Sequence, residues 1–218
     1  MPRELEAAVG ELGFARDGEC FRRSFRADPE EVARTHARFA EHVDEIVLQT
    51  ACRRPAPWDD ALELLLRRIG GAGVEWWLTA SGALAVRGLD VGPRDLDLVT
   101  DDDGAHVLGE LLADALVEPF QPVDWFCRWW GRAFLGARVE WVGGVGPSAD
   151  EPEPTDFGLV AAASLEWVTW RGHVLRVPPL ELQLAVSDRR GLAERARRIR
   201  ERWTDRHEAG TKGGATGG

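Results

Sequence analysis

Lysine is nearly missing from this chain: it occurs once in 218 residues, at Lys212 close to the C-terminus. A lysine-dependent P-loop, a Schiff-base lysine and a kinase-type lysine are therefore excluded from the folded part of the chain. Any phosphate bound here must be held by arginine and by backbone N–H groups. Long apolar runs are missing too. None approaches the ~20 residues needed to span a bilayer. The opening Met1-Pro2-Arg3-Glu4-Leu5-Glu6 is acidic and amphipathic, unlike a signal peptide. The three cysteines, Cys20, Cys52 and Cys127, are scattered and odd in number. They suit buried thiols in a reducing cytoplasm, not a disulfide frame or a zinc site. The five histidines, His36, His42, His106, His173 and His207, show no metal-ligand spacing. A basic surface is lacking as well: the formal net charge is -10. That argues against extended nucleic-acid binding, which needs many phosphate contacts. It leaves room for a local basic cleft, and the carboxylates can attract a cationic small molecule.

The hydrophobic fraction, 44%, is ordinary for a globular protein. A chain of this length can bury one good core, or a core and a smaller helical lobe. Leu5, Ala8, Val9 and Leu12 follow helical spacing, and Asp17-Gly18 marks a short hairpin within 14–25. Asp28-Pro29-Glu30-Glu31 is a helix start, and a second helical stripe runs from Trp58 to Ile69. Residues 1–72 thus read as a helical N-terminal lobe. From Val74 strands alternate with helices. Val107, Leu108, Leu111, Leu112 and Leu116 read as one helix, and Ala133 to Val142 as one strand. Segments 165–170 and 173–177 read as a hairpin, with helices after Pro178-Pro179 and over 192–203. Residues 205–218 end in a low-complexity stretch expected to be disordered.

The most informative stretch is Asp95-Leu96-Asp97-Leu98. Side chains alternate along a strand, so both carboxylates share one face while the leucines enter the core. At ~7 Å, two unpaired charges repel by roughly 2 kcal/mol at an effective dielectric near 20. A divalent cation between them turns repulsion into attraction. Upstream lie an apolar run from Val74 to Leu78, the small-residue turn Thr79-Ala80-Ser81-Gly82, and a helical pattern over 83–86.

Strand, small-residue turn, helix, basic loop and Asp-x-Asp strand in that order resemble the nucleotidyltransferase superfamily, with its DNA polymerase β-like fold. The pieces are Ser81-Gly82, Pro93-Arg94-Asp95-Leu96-Asp97-Leu98 and Arg138-Val139-Glu140-Trp141-Val142. The chain looks similar to small bacterial nucleotidyltransferase-domain proteins related to the aminoglycoside nucleotidyltransferases. The resemblance covers roughly Val74 to Arg202, so residues 73–204 read as the nucleotidyltransferase-like domain. It implies an α/β (α+β) fold: a mixed sheet flanked by helices, with C-terminal helices beyond. It also implies Mg²⁺- or Mn²⁺-dependent transfer of a nucleoside monophosphate from an NTP to an unidentified acceptor. On this resemblance Asp95, Asp97 and Glu140 are the catalytic and metal-binding carboxylates, Glu140 serving as third ligand or as base. Ser81 and Gly82 would hold phosphate oxygens, with Arg87, Arg94, Arg189 and Arg190 as candidate nucleotide-binding residues. One position departs from the pattern: the family carries glycine before the serine, and this chain has Ala80.

Each candidate has a plainer reading. Glu140 could be a charge paired with Arg138 or Arg132, Ser81 an N-cap, and Arg94 a partner of Asp95. Arg189, Arg190, Arg195, Arg197 and Arg198 read as a solvated helix face. Asp101 in Asp101-Asp102-Asp103-Gly104 reads as an N-cap, since the run fails the EF-hand spacing. Most of the ten tryptophans should be core. The main alternative functions are a non-catalytic nucleotide- or partner-binding descendant of the fold and a toxin-like enzyme acting on tRNA or a protein. The three carboxylates converging on an open cleft would favour catalysis; a buried arginine in that space would favour the binder.

Overall fold

The computed structural model describes residues 2–212, with side-chain surroundings through Trp203. The chain begins with α1 (Arg3–Glu11), a short hairpin of β1 (Ala15–Asp17) and β2 (Cys20–Arg22), α2 (Pro29–Thr50) and α3 (Trp58–Ile69). There follow β3 (Trp76–Thr79), α4 (Ala80–Ala85), β4 (Asp95–Thr100) and α5 (Asp102–Leu111). Three consecutive strands come next: β5 (Leu116–Pro122), β6 (Trp129–Phe134) and β7 (Arg138–Gly143). A 3₁₀ turn (Pro147–Asp150), α6 (Leu159–Ala162), a hairpin of β8 (Glu166–Trp170) and β9 (His173–Val177), α7 (Leu180–Arg189) and α8 (Ala193–Lys212) complete it. The tail expected over 205–218 falls on α8 backbone as far as Lys212, and beyond that lies outside the described residues.

The fold is mixed α/β. Its five-stranded sheet runs in the order β3-β4-β7-β6-β5, and only the β4–β7 pair is parallel. Two readings of the sequence are corrected here. Ala133 to Val142 is two strands, not one: the chain reverses between β6 and β7 through Leu135-Gly136-Ala137, where Gly136 sits at φ 89°. Leu116 belongs to β5, not to the helix before it, because α5 ends at Leu111. The hairpins, the starts of α2 and α3, and the Asp101 cap, whose side chain accepts from Gly104 N at 2.7 Å, stand where the sequence puts them.

One sheet face is the main core. Leu96 and Leu98 of β4 and Val139 and Trp141 of β7 pack there against Leu62 and Leu65 of α3 and Leu108 of α5. A Cβ on Gly131 of β6 would lie 2.1 Å from the Trp141 ring, so a glycine is needed for that indole to lie flat on the sheet. Trp141 donates its Nε1–H to Ala105 O at 3.2 Å, so the buried indole loses no hydrogen bond. The segment 1–72 is divided between two cores. Its α3 joins the main one, while α1 and α2 form a second around Leu12, Ile46 and Val117. A third apolar cluster joins α4, α7 and α8 around Leu84, Leu180 and Ile199, and on the opposite sheet face Val99 and Val142 pack with Cys127. Among the described residues no helix is long and apolar enough to cross a membrane.

Candidate active site

The site is built by strand parity. Opposite the leucines of β4, Asp95 and Asp97 face away from the main core, as do Arg138 and Glu140 of β7. The ladder pairs Asp95 with Arg138, Asp97 with Glu140, Thr79 with Asp97, and Arg132 with Glu140. One polar row therefore crosses the sheet from Thr79 through Asp97 and Glu140 to Arg132, and on to Glu118 of β5.

Most of the row is an ion-pair chain. Arg23 and Arg132 both donate to Glu118 Oε1. Arg132 donates through Nε to Glu140 Oε1 at 2.8 Å, and Arg138 through Nη1 to the same oxygen at 2.9 Å. Through Nη2, Arg138 also holds Asp95 Oδ2. Asp97 alone has neither an ion pair nor a hydrogen bond to its carboxylate among the described residues. The charges respond accordingly. Burial pushes the Asp97 carboxyl well above its usual range, and the negative charges of Asp95, Glu140 and Asp156 push the same way against Arg138. Burial also raises Asp95, against the pull of Arg138. Glu140 goes the other way: burial would raise it, but Arg132 and Arg138 hold it below the ordinary value.

These carboxylates open onto a cleft of about 1240 Å³. Arg94, Arg189, Arg190 and Arg195 line it, and the rings of Trp125, Phe126, Trp130 and Phe157 pack into one aromatic wall. The turn at the cleft's base is held at two points: Thr79 Oγ1 donates to Asp156 O at 2.5 Å, and Gln183 Nε2 donates to Ala80 O at 2.9 Å. Ala80 itself sits at φ 52°. That left-handed conformation favours glycine, because a Cβ there crowds the backbone.

The structure brings together Asp95, Asp97, Glu140, Ser81, Arg94, Arg189 and Arg190, all of which line the cleft. Arg94 does not pair with Asp95; it donates to Thr50 O at 2.8 Å and to Glu11 at 3.2 Å. Arg189 is tied to the loop at Glu153 and Pro154. Gly82 is buried beneath the turn, where a Cβ would press on Leu78 at 3.1 Å, so its smallness serves packing. Arg87 lies away from the cleft, buried and paired with Glu166 and Pro178 O. The expectation of a phosphate contact at Arg87 is corrected to a structural anchor between α4 and the β8–β9 hairpin.

Two cleft residues carry no motif in the sequence. Asp156 is buried and lies 3.6 Å from Arg195 Nη2. Arg195, read as part of a solvated helix face, instead turns inward with 14% of its side chain exposed. Its Nε and Nη2 are buried without hydrogen-bond partners, and burial lowers its pKa against the pull of Asp156 and Asp97.

No group of three metal-binding side chains comes together among the described residues. Two carboxylates nonetheless suit Mg²⁺, which keeps several waters and is commonly held by one or two carboxylates together with substrate phosphates. Asp97, free of protein partners, and Asp95, with one oxygen taken, form such a pair. Glu140, whose Oε1 is taken by two arginines, does not come together with them as a third member.

No protein-family model matches the sequence, and no curated protein matches it. Solved structures do. A Thermotoga maritima protein provisionally assigned as a nucleotidyltransferase is 21% identical, with a TM-score of 0.48 over 66% of this chain and 91% of its own. ANT(2'')-Ia in complex with adenylyl-2''-tobramycin is 12% identical, with a TM-score of 0.40 over 63% of this chain and 84% of its own. An antigenic nucleotidyltransferase-like protein from Paracoccidioides brasiliensis is 17% identical, with a TM-score of 0.34 over 58% of this chain and 63% of its own.

Proposed function

We propose that this protein transfers a nucleoside monophosphate from an NTP to an acceptor hydroxyl, in the presence of Mg²⁺ or Mn²⁺. The carrying observation is the unpaired Asp97 carboxylate beside Asp95, both lining a large cleft that four arginines also line. The acceptor oxygen attacks the α-phosphorus, the bond from that phosphorus to the bridging oxygen breaks, and pyrophosphate leaves with that electron pair. The acceptor hydroxyl gives its proton to bulk water. Little covalent work falls to the protein in such a step; positioning and charge neutralisation dominate. Asp95 and Asp97 would hold the divalent ion, which neutralises charge building on the phosphate oxygens. Arg190 and Arg195, with Arg94 and Arg189, would hold the triphosphate. Ser81 would offer its hydroxyl and N–H at the turn. Glu140 would fix Arg138, because two arginines draw off the basicity it would need to accept a proton. The aromatic wall, with Trp125 70% exposed, suits a flat ring of the base or the acceptor. Three free thiols fit a cytoplasmic setting.

Calorimetry with ATP, GTP, CTP and UTP, each with and without Mg²⁺, tests this. Binding that requires the cation is expected, followed by release of pyrophosphate when a suitable acceptor is added. Equal nucleotide affinity without the cation would overturn the reading.

A second reading has one observation in its favour. Arg138, buried, spans Asp95 and Glu140 where a second cation would otherwise be wanted. On that reading the site binds nucleotide and the chemistry is lost. Nucleotide binding without pyrophosphate release across a broad acceptor screen would favour it.

A further inference from the structure

Arg138 raises a question that the transfer reading leaves open. Its side chain is 5% exposed, and Nε is buried with no hydrogen-bond partner. Burying a guanidinium with one donor unmet is costly unless strong partners repay the rest. The two partners are Asp95 and Glu140, and Glu140 is already served by Arg132. Arg23, Arg132 and Arg138 thus balance Glu118, Glu140 and Asp95, three charges of each sign. The charge left over in the row is Asp97. Arg138 is also the direct register neighbour of Asp95 on the adjacent parallel strand, so it cannot retreat without changing rotamer.

We propose that Arg138 is an internal counter-ion that competes with the divalent cation for Asp95, so that the site takes the metal well only when a nucleotide is present. This rests on the transfer reading of Asp95 and Asp97. A dication beside Asp95 meets the fixed positive charge of Arg138 and is repelled at short range. A triphosphate brings several negative charges into the same space and offsets that repulsion. The consequence is an ordered site: the cation enters with the nucleotide rather than ahead of it.

The test is Mn²⁺ binding to the protein, read from the electron paramagnetic resonance signal of free Mn²⁺ with and without a non-hydrolysable NTP analogue, after subtracting the Mn²⁺ that the analogue binds without protein. Wild type, Arg138→Gln and the double variant Arg138→Gln/Asp95→Asn are compared, with circular dichroism confirming the fold of each. Wild type should bind Mn²⁺ alone weakly and at least about tenfold more tightly with the analogue. Arg138→Gln should bind Mn²⁺ alone about tenfold more tightly than wild type, since a repelling charge at close range is gone. The double variant should lose that gain. If Arg138→Gln matches wild type for Mn²⁺ alone, while both bind it with the analogue, the counter-ion proposal falls and the transfer reading survives. If neither binds Mn²⁺ even with the analogue, the transfer reading itself fails. Should Arg138→Gln not fold, Arg138→Lys decides. A single ammonium cannot span both carboxylates, so about a threefold gain is expected, and an unchanged affinity overturns the proposal.

Discussion

Asp97 and Glu140 are direct neighbours across the parallel β4–β7 ladder, yet their carboxyls are driven in opposite directions. The difference is one of partners. Burial penalises both, but two arginines converge on Glu140, and among the described residues none forms an ion pair with Asp97. One carboxylate is spent on holding the fold; the other is left exposed to whatever enters the cleft.

Asp97→Asn should therefore leave the metal-free protein as stable as wild type, or more so. The folded state raises the Asp97 pKa, so it holds a proton that the unfolded chain has released. Between the unfolded value near ~3.9 and the raised folded value, wild-type stability falls as pH rises. Asp97→Asn should lack that decline. Thermal melts across pH give the comparison; strong destabilisation of the variant at neutral pH would make Asp97 a structural residue. With Mg²⁺ and NTP the order should reverse, because only wild type gains ligand stabilisation.

Glu140→Gln should behave in the opposite sense. It strips a shared anion from two buried guanidinium groups, a loss of about 3 kcal/mol or more. The folded pKa of Glu140 is lowered, so its contribution is present above the unfolded value near ~4.3 and is lost as pH falls through the folded value. Urea unfolding at neutral and acidic pH checks this: the gap between wild type and Glu140→Gln should be widest at neutral pH and close on acidification. A variant as stable as wild type at pH 7 would sink the hub role.

The Asp-x-Asp strand was legible because period-two alternation with Leu96 and Leu98 fixes a face without knowledge of any other element. Glu140 was legible as a residue paired with Arg132 or Arg138, since strand neighbours in sequence are near neighbours in space. Legibility ended where the chain closes on itself over long separations. Arg87 lies close to the motif in sequence, but its partner Glu166 is 79 residues away, so proximity to the motif misled. Arg195 looks like its neighbours on an arginine-rich helix; only the docking of α8 on the cleft turns it inward. Asp156 sits in an acidic loop and was hidden for the same reason. The β6–β7 turn was missed because Leu135-Gly136-Ala137 holds a single turn-forming residue inside an otherwise apolar run.

Ala80→Gly tests a residue at odds with its backbone in the turn beside Ser81. At φ 52° an alanine carries left-handed strain of about 1–2 kcal/mol. Glycine removes it but adds about 0.4–1 kcal/mol of unfolded-chain entropy cost. The net expectation is a gain of roughly 0.5 to 1 kcal/mol by urea unfolding, with nucleotide affinity unchanged or better. A loss of nucleotide binding with the fold intact would show that the Ala80 methyl belongs to the site.

Arg195 offers the sharpest separation of function from stability. Its Nε and Nη2 are buried without hydrogen-bond partners, and Asp156 stands 3.6 Å away, an ion pair but too far for a good hydrogen bond. A guanidinium in that state costs the fold more than it returns. Its value lies in what it meets on binding: a phosphate oxygen would satisfy donors the protein leaves unmet, and charge-assisted hydrogen bonds of that kind contribute about 1.5–3 kcal/mol. Arg195→Met keeps an apolar stem of similar length and removes the donors. It should melt at or above the wild-type temperature while weakening NTP binding at least about tenfold by calorimetry. A matched control is Arg198→Met on the same helix, whose guanidinium pairs with Asp90 and Glu194 at the surface. It should leave nucleotide affinity within about twofold. If Arg195→Met unfolds the protein, or binds NTP as wild type does, Arg195 serves the docking of α8 and is not a phosphate ligand.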